Sequence, residues 1–259
     1  MHTKVEDLSF SPCENYLITY RYTYHPSLSP DALIVWDIRT GDKLRSFELK
    51  NPLDTKFHVQ ATITETKTTN EGKEDMKKIV RDRLVRGRVK DYKPDSMGGV
   101  FTIEEGNTIH EDIPFDKVIP VQEPNRLKWS PDGKYVARIG CDIVSVYALP
   151  NMQLLDKKSI AAKEVLDFVW SPKSNMISYW SPAVGNHPAL INIMKLPERE
   201  DLCSRKLVDV VDGRMVWQNE GDYLCVYMTK TQGKKKTYVL MFFRTRYRLY
   251  THTDDINTI

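Results

Sequence analysis

Side chains able to do chemistry are plentiful in this chain of 259 residues, but they do not fall into catalytic spacings. No Gly-x-Ser-x-Gly elbow presents a nucleophilic serine. No His-Glu-x-x-His pair is spaced to hold zinc, and no Gly-x-x-x-x-Gly-Lys-Ser/Thr loop is available to cradle phosphate. The histidines (His2, His25, His58, His110, His187 and His252) are scattered, so exposed or locally bonded roles are expected of them rather than metal ligation. Asp37, directly after Trp36, reads as a strand-end or turn residue, and Asp254-Asp255 fall in a polar tail. Cys13, Cys141, Cys203 and Cys225 form no Cys-x-x-Cys pair and read as reduced thiols. The residues therefore predict no catalytic group, no metal site, no cofactor and no small-molecule substrate.

What remains is positive charge, concentrated in two places. Lys230-Thr231-Gln232-Gly233-Lys234-Lys235-Lys236 reads as a hairpin tip, with Lys234, Lys235 and Lys236 as its core. The second cluster is Arg81, Arg83, Arg86 and Arg88 within Glu74–Lys90. Each has a plain reading, a solvated loop or a solvated face, and a functional one. The functional chemistry is neutralisation of RNA phosphates without base readout or, for the second cluster, a partner-binding helix. The net charge of +3 is too small to argue for nucleic acid by itself.

These clusters must be carried by some scaffold, and the chain spells one out by repetition. Leu127 to Ile160 runs in a fixed order: a strand ending at Trp129, a Ser130-Pro131-Asp132-Gly133 turn, Tyr135 to Ile139, Ile143 to Leu149, a Pro150-Asn151 turn, and a short strand near Leu154-Leu155. The order recurs from Leu8, with Phe10-Ser11-Pro12, and continues through Ala32 to Asp37 and Lys43 to Leu49. It recurs from Leu166, with Trp170-Ser171-Pro172, and from Gly213, with Trp217-Gln218. Trp129, Trp170 and Trp217 lie 41 and 47 residues apart. Four strands every 40–50 residues is the period of a β-propeller blade, which cannot cover both of its apolar faces alone and must stack on neighbours. A β-sandwich with accidental spacing is the alternative, and matched turn chemistry argues against it. The predicted fold is all-β: a partial propeller of about four WD-like blades with one mostly irregular or helical insertion. Phe10, Trp129, Trp170 and Trp217 are expected in the core.

The organisation read from this is residues 1–50 as a first blade, 51–118 as a charged insertion, 119–245 as three further blades and 246–259 as a polar tail. Within the insertion, Thr62 to Glu74 reads as a loop or as disordered. Glu74–Lys90 reads as an amphipathic helix, because Met76, Ile79, Val80 and Leu84 fall on one stripe at about 100° per residue. The amino-terminal residues lack a signal-peptide core. The longest apolar run, Tyr238 to Phe243, is far short of the ~20 residues that span a bilayer. The expectation is a cytoplasmic protein with no membrane partner.

The repeats resemble the propeller of the b-subunit of eukaryotic translation initiation factor 3. The residues that carry this are Phe10-Ser11-Pro12-Cys13-Glu14 with Tyr16-Leu17, Val35-Trp36-Asp37-Ile38 with Thr40-Gly41, and Leu154-Leu155-Asp156-Lys157-Lys158-Ser159. Asp167-Phe168 with Trp170-Ser171-Pro172, Leu207 with Val210-Val211-Asp212, and Trp217-Gln218 with Gly221-Asp222-Tyr223-Leu224-Cys225-Val226, complete the set. The resemblance covers about two thirds of the chain, in family order, and points to the C-terminal part of that propeller. The 51–118 insertion has no evident counterpart, the family's RNA-recognition-motif domain is absent, and the pattern is lost after Arg244. The resemblance implies a non-catalytic scaffold in translation initiation, whose partners are other factor 3 subunits and the small ribosomal subunit, both rRNA and proteins. Two alternatives are the propeller of initiation factor 2A and a propeller accompanying a peptidase.

Overall fold

The computed structural model describes residues 5–21, 32–48, 58–71, 75–94, 99–105, 107–120, 126–183, 187–208, 210–232, 235–245 and 251–256; at 65–71, 75–81, 120, 211, 231–232, 235–236 and 251–256 it describes the backbone alone. The chain divides into two compact units, Met1–Lys50 with Pro124–Ile259, and Asn51–Glu123.

The first unit begins with a sheet of β1 (Asp7–Phe10), β2 (Tyr16–Tyr20), β3 (Leu33–Asp37) and β4 (Lys43–Phe47), paired in chain order. The second unit interrupts it with β5 (His58–Glu71), β6 (Asp75–Lys93), β7 (Val100–Glu105), β8 (Thr108–Pro114) and β9 (Val118–Pro120). The first unit resumes with β10 (Lys128–Trp129), β11 (Tyr135–Gly140), β12 (Ile143–Ala148) and β13 (Gln153–Leu154), with β14 (Ile160–Ala161) added on β12. Then come β15 (Asp167–Trp170), β16 (Met176–Ser181), β17 (Ala189–Lys195) and β18 (Glu200–Leu207). The last sheet is β19 (Val210–Trp217), β20 (Tyr223–Gln232), β21 (Lys235–Arg244) and β22 (Thr251–Ile256). Every pairing is antiparallel between chain neighbours, apart from the additions of β9 to β5 and β14 to β12. These are the four predicted blades. One correction concerns the tail, which was expected to fit no repeat. Thr251–Ile256 is the fourth strand of the last blade, with Asp254 and Asp255 opposite Leu240 and Val239 in the backbone register. Its polar composition hid it, because only one neighbouring strand and no apolar face is needed to pair an edge.

The register repeats across blades two, three and four. Trp129↔Val136↔Tyr147, Trp170↔Ile177↔Met194 and Trp217↔Leu224↔Phe243 are equivalent cross-strand triplets. Strand alternation sends these to the face that meets the preceding blade. The intervening residues point the other way: Tyr20↔Leu33 with Ile18↔Val35, Ile139↔Val144 with Ala137↔Val146, and Trp180↔Ile191 with Ser178↔Ile193. Three hydrophobic clusters result, one at each junction. Ile18, Tyr20, Leu33 and Val35 of blade one meet Val136 and Tyr147 of blade two. Ala137, Ile139, Val144 and Val146 meet Phe168, Ile177 and Tyr179. Trp180, Ile191 and Ile193 meet Met215, Leu224, Val226 and Phe243. At roughly 1.5–3 kcal/mol for each fully buried large side chain, these junctions dominate the stability of the unit.

The second unit overturns the helix expected over Glu74–Lys90. β6 runs through that segment as a 19-residue strand, hydrogen-bonded to β5 along fourteen register pairs from His58↔Arg88 to Glu71↔Asp75. The effective period is two. Val85, Gly87 and Val89 are buried while Leu84, Arg86 and Lys90 are exposed. Leu84, placed on the helical stripe, is 57% exposed. Gly87 is a contact residue rather than a weak helix end: a Cβ there would stand 2.2 Å from the Glu104 carbonyl oxygen. Of the segment Thr62 to Glu74, expected as loop, residues 62–71 belong to β5 and the rest lie outside the described residues; Val59 and Ala61 of β5 enter the same small core as Val89, Phe101, Ile103, Ile113 and Val118. Repeated β-branched threonines suit a pleated surface with one solvated face.

Candidate interaction surfaces

The Ser-Pro turns are the local device that repeats most faithfully. Ser11, Ser130, Ser171 and Gln218 each donate a backbone N–H to the carbonyl five residues on, at Tyr16, Tyr135, Met176 and Tyr223, over 2.8–2.9 Å. Ser11, Ser130 and Ser171 are buried, and the Ser11 and Ser130 hydroxyls accept the Tyr16 and Tyr135 amides. The turn's fourth residue is left-handed in three blades: Glu14 (φ 58°), Gly133 (φ 68°) and Gly221 (φ 74°).

These turns stack from blade to blade. A Cβ on Gly133 would lie 2.5 Å from Cys13 Sγ, and one on Gly221 would lie 2.8 Å from Ser171 Oγ. Asn175 Nδ2 donates to Asp132 Oδ2 at 2.8 Å. Burial opposes ionisation of Asp132, but its hydrogen bonds from Asn175, Lys134 and Ser130 together hold the carboxyl below its ordinary value. The tryptophans anchor the same junctions. Trp170 Nε1 donates to the Lys128 carbonyl at 2.9 Å, and Trp217 Nε1 to Ser178 Oγ at 3.1 Å. Trp129 stacks on Tyr16 with ring centroids 6.4 Å apart. Phe10, expected in the core with them, is 56% exposed, because no described blade stands before it.

The lysine cluster lies where β20 turns into β21. Lys235 and Lys236 pair in register with Gln232 and Thr231, so they occupy the hairpin end; Lys234 lies outside the described residues. The arginines are not gathered onto one helical face. Arg83 shares the Val85 face of β6 and bridges Glu105 at 3.0 Å; Arg86 and Arg88 stand on the opposite face, with Arg86 donating to Gln60 at 3.2 Å. Arg81 sits opposite Glu65 in the backbone register. The strand thus splits the cluster that a helix would have concentrated.

Other residues weighed for chemistry have structural partners. Asp37 accepts the Arg39 amide at 2.9 Å and its guanidinium at 3.3 Å, which holds the carboxyl below its ordinary value. His58 is buried rather than exposed, His110 lies 3.1 Å from Glu105, and His187 lies 2.6 Å from Lys163. Among the described residues no three His, Cys, Asp or Glu side chains cluster as metal ligands, and no helix is long and apolar enough to cross a membrane. The four cysteines are free thiols; burial pushes Cys203 and Cys225 upward.

Sequence reasoning missed two features. One is Arg199, which reaches from the turn after β17 to the 3-10 loop Leu155–Lys157. It bridges Asp156 at 2.9 Å and donates to the carbonyls of Leu155, at 2.8 Å, and Lys158. Nothing in spacing foretells that contact. The other is Arg138, 6% exposed, its guanidinium 5.0 Å from the Phe47 ring centroid; burial lowers its pKa, and Nη1 has no hydrogen-bond partner. An arginine amid Val136 and Ile139 was the only signal.

No protein-family model matches the chain. Among curated proteins it is 30% identical over 230 residues to the B-subunit of eukaryotic translation initiation factor 3 from Xenopus laevis, covering 89% of this chain and 23% of that protein. It is 28% identical over 235 residues to the same factor's B-subunit from Drosophila willistoni, covering 91% and 24%. Matches of this length extend beyond the two thirds of the chain read from motifs. Solved structures give distant likenesses. They are Kuenenia stuttgartiensis hydrazine synthase (TM-score 0.45, 15% identity, 99% of this chain and 68% of that one) and the crystal structure of a eukaryotic initiation factor (0.38, 14%, 98% and 64%). A third is the Swd1 β-propeller domain of Myceliophteria thermophila (0.35, 11%, 99% and 87%). At these values they add nothing to the fold established from the strands. The chain spans about a quarter of the length of the curated relatives it matches, and along nine-tenths of itself it is a homologue of part of the B-subunit of eukaryotic translation initiation factor 3.

Proposed function

We propose that this chain is a non-catalytic scaffold module acting in translation initiation, in the cytoplasm, as a component of factor 3. The observation that carries the reading is the 30% identity sustained over 230 residues to a B-subunit of that factor. The physical character of the chain agrees: blades stacked through apolar faces leave turns, hairpin ends and edges as display surfaces, and the chemistry-bearing residues are tied into structural contacts. The partners are other factor 3 subunits and the small ribosomal subunit. Contact with rRNA runs through phosphate neutralisation, with the hairpin end at Lys234, Lys235 and Lys236 ranked ahead of Arg81, Arg83, Arg86 and Arg88, because the strand divides the arginines between two faces.

Affinity capture of the tagged full chain from eukaryotic cells, followed by mass spectrometry, tests the first half. Co-enrichment of factor 3 subunits supports the scaffold; a clean preparation without them refutes it. For the second half, the Lys234→Ser, Lys235→Ser, Lys236→Ser triple variant is titrated onto purified small ribosomal subunits across a salt series. The expected result is weaker binding, with the slope of log affinity against log salt flattened by up to about two to three units. An unchanged slope removes the hairpin from the RNA contact.

A further inference from the structure

The seam between the first two blades holds a charge that no described neighbour balances. Arg138 on β11 and Ser145 on β12 are register partners, one step along the same face from Val136 and Tyr147. That face meets blade one, where the Arg138 guanidinium lies 5.0 Å from the Phe47 ring centroid. A second guanidinium shares the ring. Arg45 on β4 stands 5.1 Å from Phe47 and 4.6 Å from Tyr147, and its Nη1 donates to the Met152 carbonyl at 2.7 Å. Arg138 Nη1 is fully enclosed and has no hydrogen-bond partner. Burial depresses the Arg138 pKa most, with Tyr147 opposing and Arg45 adding to the depression; no carboxylate among the described residues acts on it. The matching pair in blade three, Tyr179↔Asn192, is tied to an acid: Asn192 Nδ2 donates to the Tyr179 hydroxyl at 2.6 Å and to Asp201 at 2.7 Å. Blade two offers hydroxyls instead. The buried Ser145 Oγ lies 2.9 Å from the Oγ of half-buried Ser159, so Arg138, Ser145 and Ser159 form a polar row from the seam towards the edge strand β14.

We propose that this seam binds one terminal phosphate group, free phosphate or a phosphomonoester, through Arg138 and Arg45 with the Ser145 and Ser159 hydroxyls. A cation buried without a counter-ion is strongly disfavoured, so an anion that supplies one is favoured by a charge already desolvated. The charge count selects the class. Two guanidiniums and no acid suit a ligand of about −1.5 to −2, which a phosphomonoester carries at neutral pH. A lone carboxylate leaves one cation unbalanced. A planar guanidinium also presents paired N–H donors matched to phosphate oxygens, and serine hydroxyls can donate to the others. The Phe47 and Tyr147 rings, 5.2 Å apart edge to face, close the inner end of the seam. It therefore admits the end of a ligand rather than a phosphodiester running through, which separates it from the rRNA contact proposed for the hairpin end.

The test is calorimetric titration of the full chain with sodium phosphate at constant ionic strength. One phosphate per chain is expected to bind with a Kd of about 1 mM or tighter, so about 10 mM phosphate should raise the melting temperature by about 3–6 °C. Arg138→Met and Arg45→Met should each weaken binding about tenfold or more. Ser159→Ala should weaken it about threefold. Arg138→Met removes a buried charge without a counter-ion and is expected to fold. Should its melt show otherwise, Arg45→Met, at a half-buried position, carries the test. A phosphoserine peptide separates the sources: binding as tight as that of phosphate assigns a phosphorylated side chain, and binding of phosphate alone assigns the free ion. Three results overturn the proposal: no saturable binding up to about 20 mM phosphate, affinity unchanged by either arginine substitution in a folded variant, or acetate and dimethyl phosphate binding as tightly as phosphate.

Discussion

The two units of this protein are built from the same element, an antiparallel meander, and bury it in opposite ways. In the first unit a blade such as β15–β18 is apolar on both faces, with Phe168, Ile177 and Tyr179 in one cluster and Trp180, Ile191 and Ile193 in the next. In the second unit β5–β9 share one small core, and the other face carries Arg86, Gln60 and Leu84 to solvent. A sheet with two apolar faces is unstable alone and must repeat. A sheet with one can end there. That difference explains why one unit is repetitive in sequence and the other is not.

The contrast can be broken by substitution, and the largest effect is expected where a side chain serves two blades. Trp180, 2% exposed, fills the junction of blades three and four. Trp180→Ala should cost about 3–5 kcal/mol in a denaturant melt. A loss under about 1 kcal/mol would mean that the blades are not held by that face. Next is Gly87 in the second unit. Gly87→Ala sets a Cβ against the Glu104 carbonyl and the Ile103 side chain. About 1–3 kcal/mol should be lost, with faster amide exchange at Val89 and Ile103. Were the segment a helix, the same change would stabilise it, by up to about 1 kcal/mol.

The turns sharpen the comparison at smaller scale. Gly133→Ala combines a left-handed backbone with the close approach of Cys13 and should cost about 1–2 kcal/mol. Glu14 occupies the same position in blade one with φ 58°. Glu14→Gly should therefore raise the melting point, by the equivalent of about 0.5–1 kcal/mol. A neutral or negative shift would show that the side chain is held by contacts that offset its strain. Smallest is Arg83→Ala, which removes a half-exposed bridge to Glu105 and should change stability by less than about 1 kcal/mol, less still at high salt.

Legibility followed the same division. The blades could be read because the turn residues do fixed work: the buried Ser130 hydroxyl accepts the Tyr135 amide, Gly133 takes a left-handed φ, and the aromatic before the turn bridges to the previous blade. Such constraints leave marks at a constant spacing. β6 left none. Met76, Ile79, Val80 and Leu84 fit a helical stripe, while Val85, Gly87 and Val89 fit a strand, and its β5 partner lies up to thirty residues away, at His58↔Arg88. Short apolar runs fit both periods, and only the long-range pairing decides. The basic residues were legible as clusters but not as surfaces: Lys235 and Lys236 share a hairpin end, whereas alternation sets Arg83 and Arg86 back to back.

Above all, the blades carry their own cores, and residues 51–123 form a separate unit. The three junction clusters contain no residue of that sheet. Phe47 and Leu127, on either side of it, belong to one cluster, so a short connection can span the gap. Closure cost grows only logarithmically with loop length, by about 0.6 kcal/mol per doubling, so a shorter loop carries no penalty. The direct test replaces residues 51–123 with a short Gly-Ser linker and follows thermal unfolding by circular dichroism. A single cooperative transition within a few degrees of the parent, with strand signal retained, is the predicted result. Loss of that transition would contradict this division and make the inserted sheet part of the propeller core.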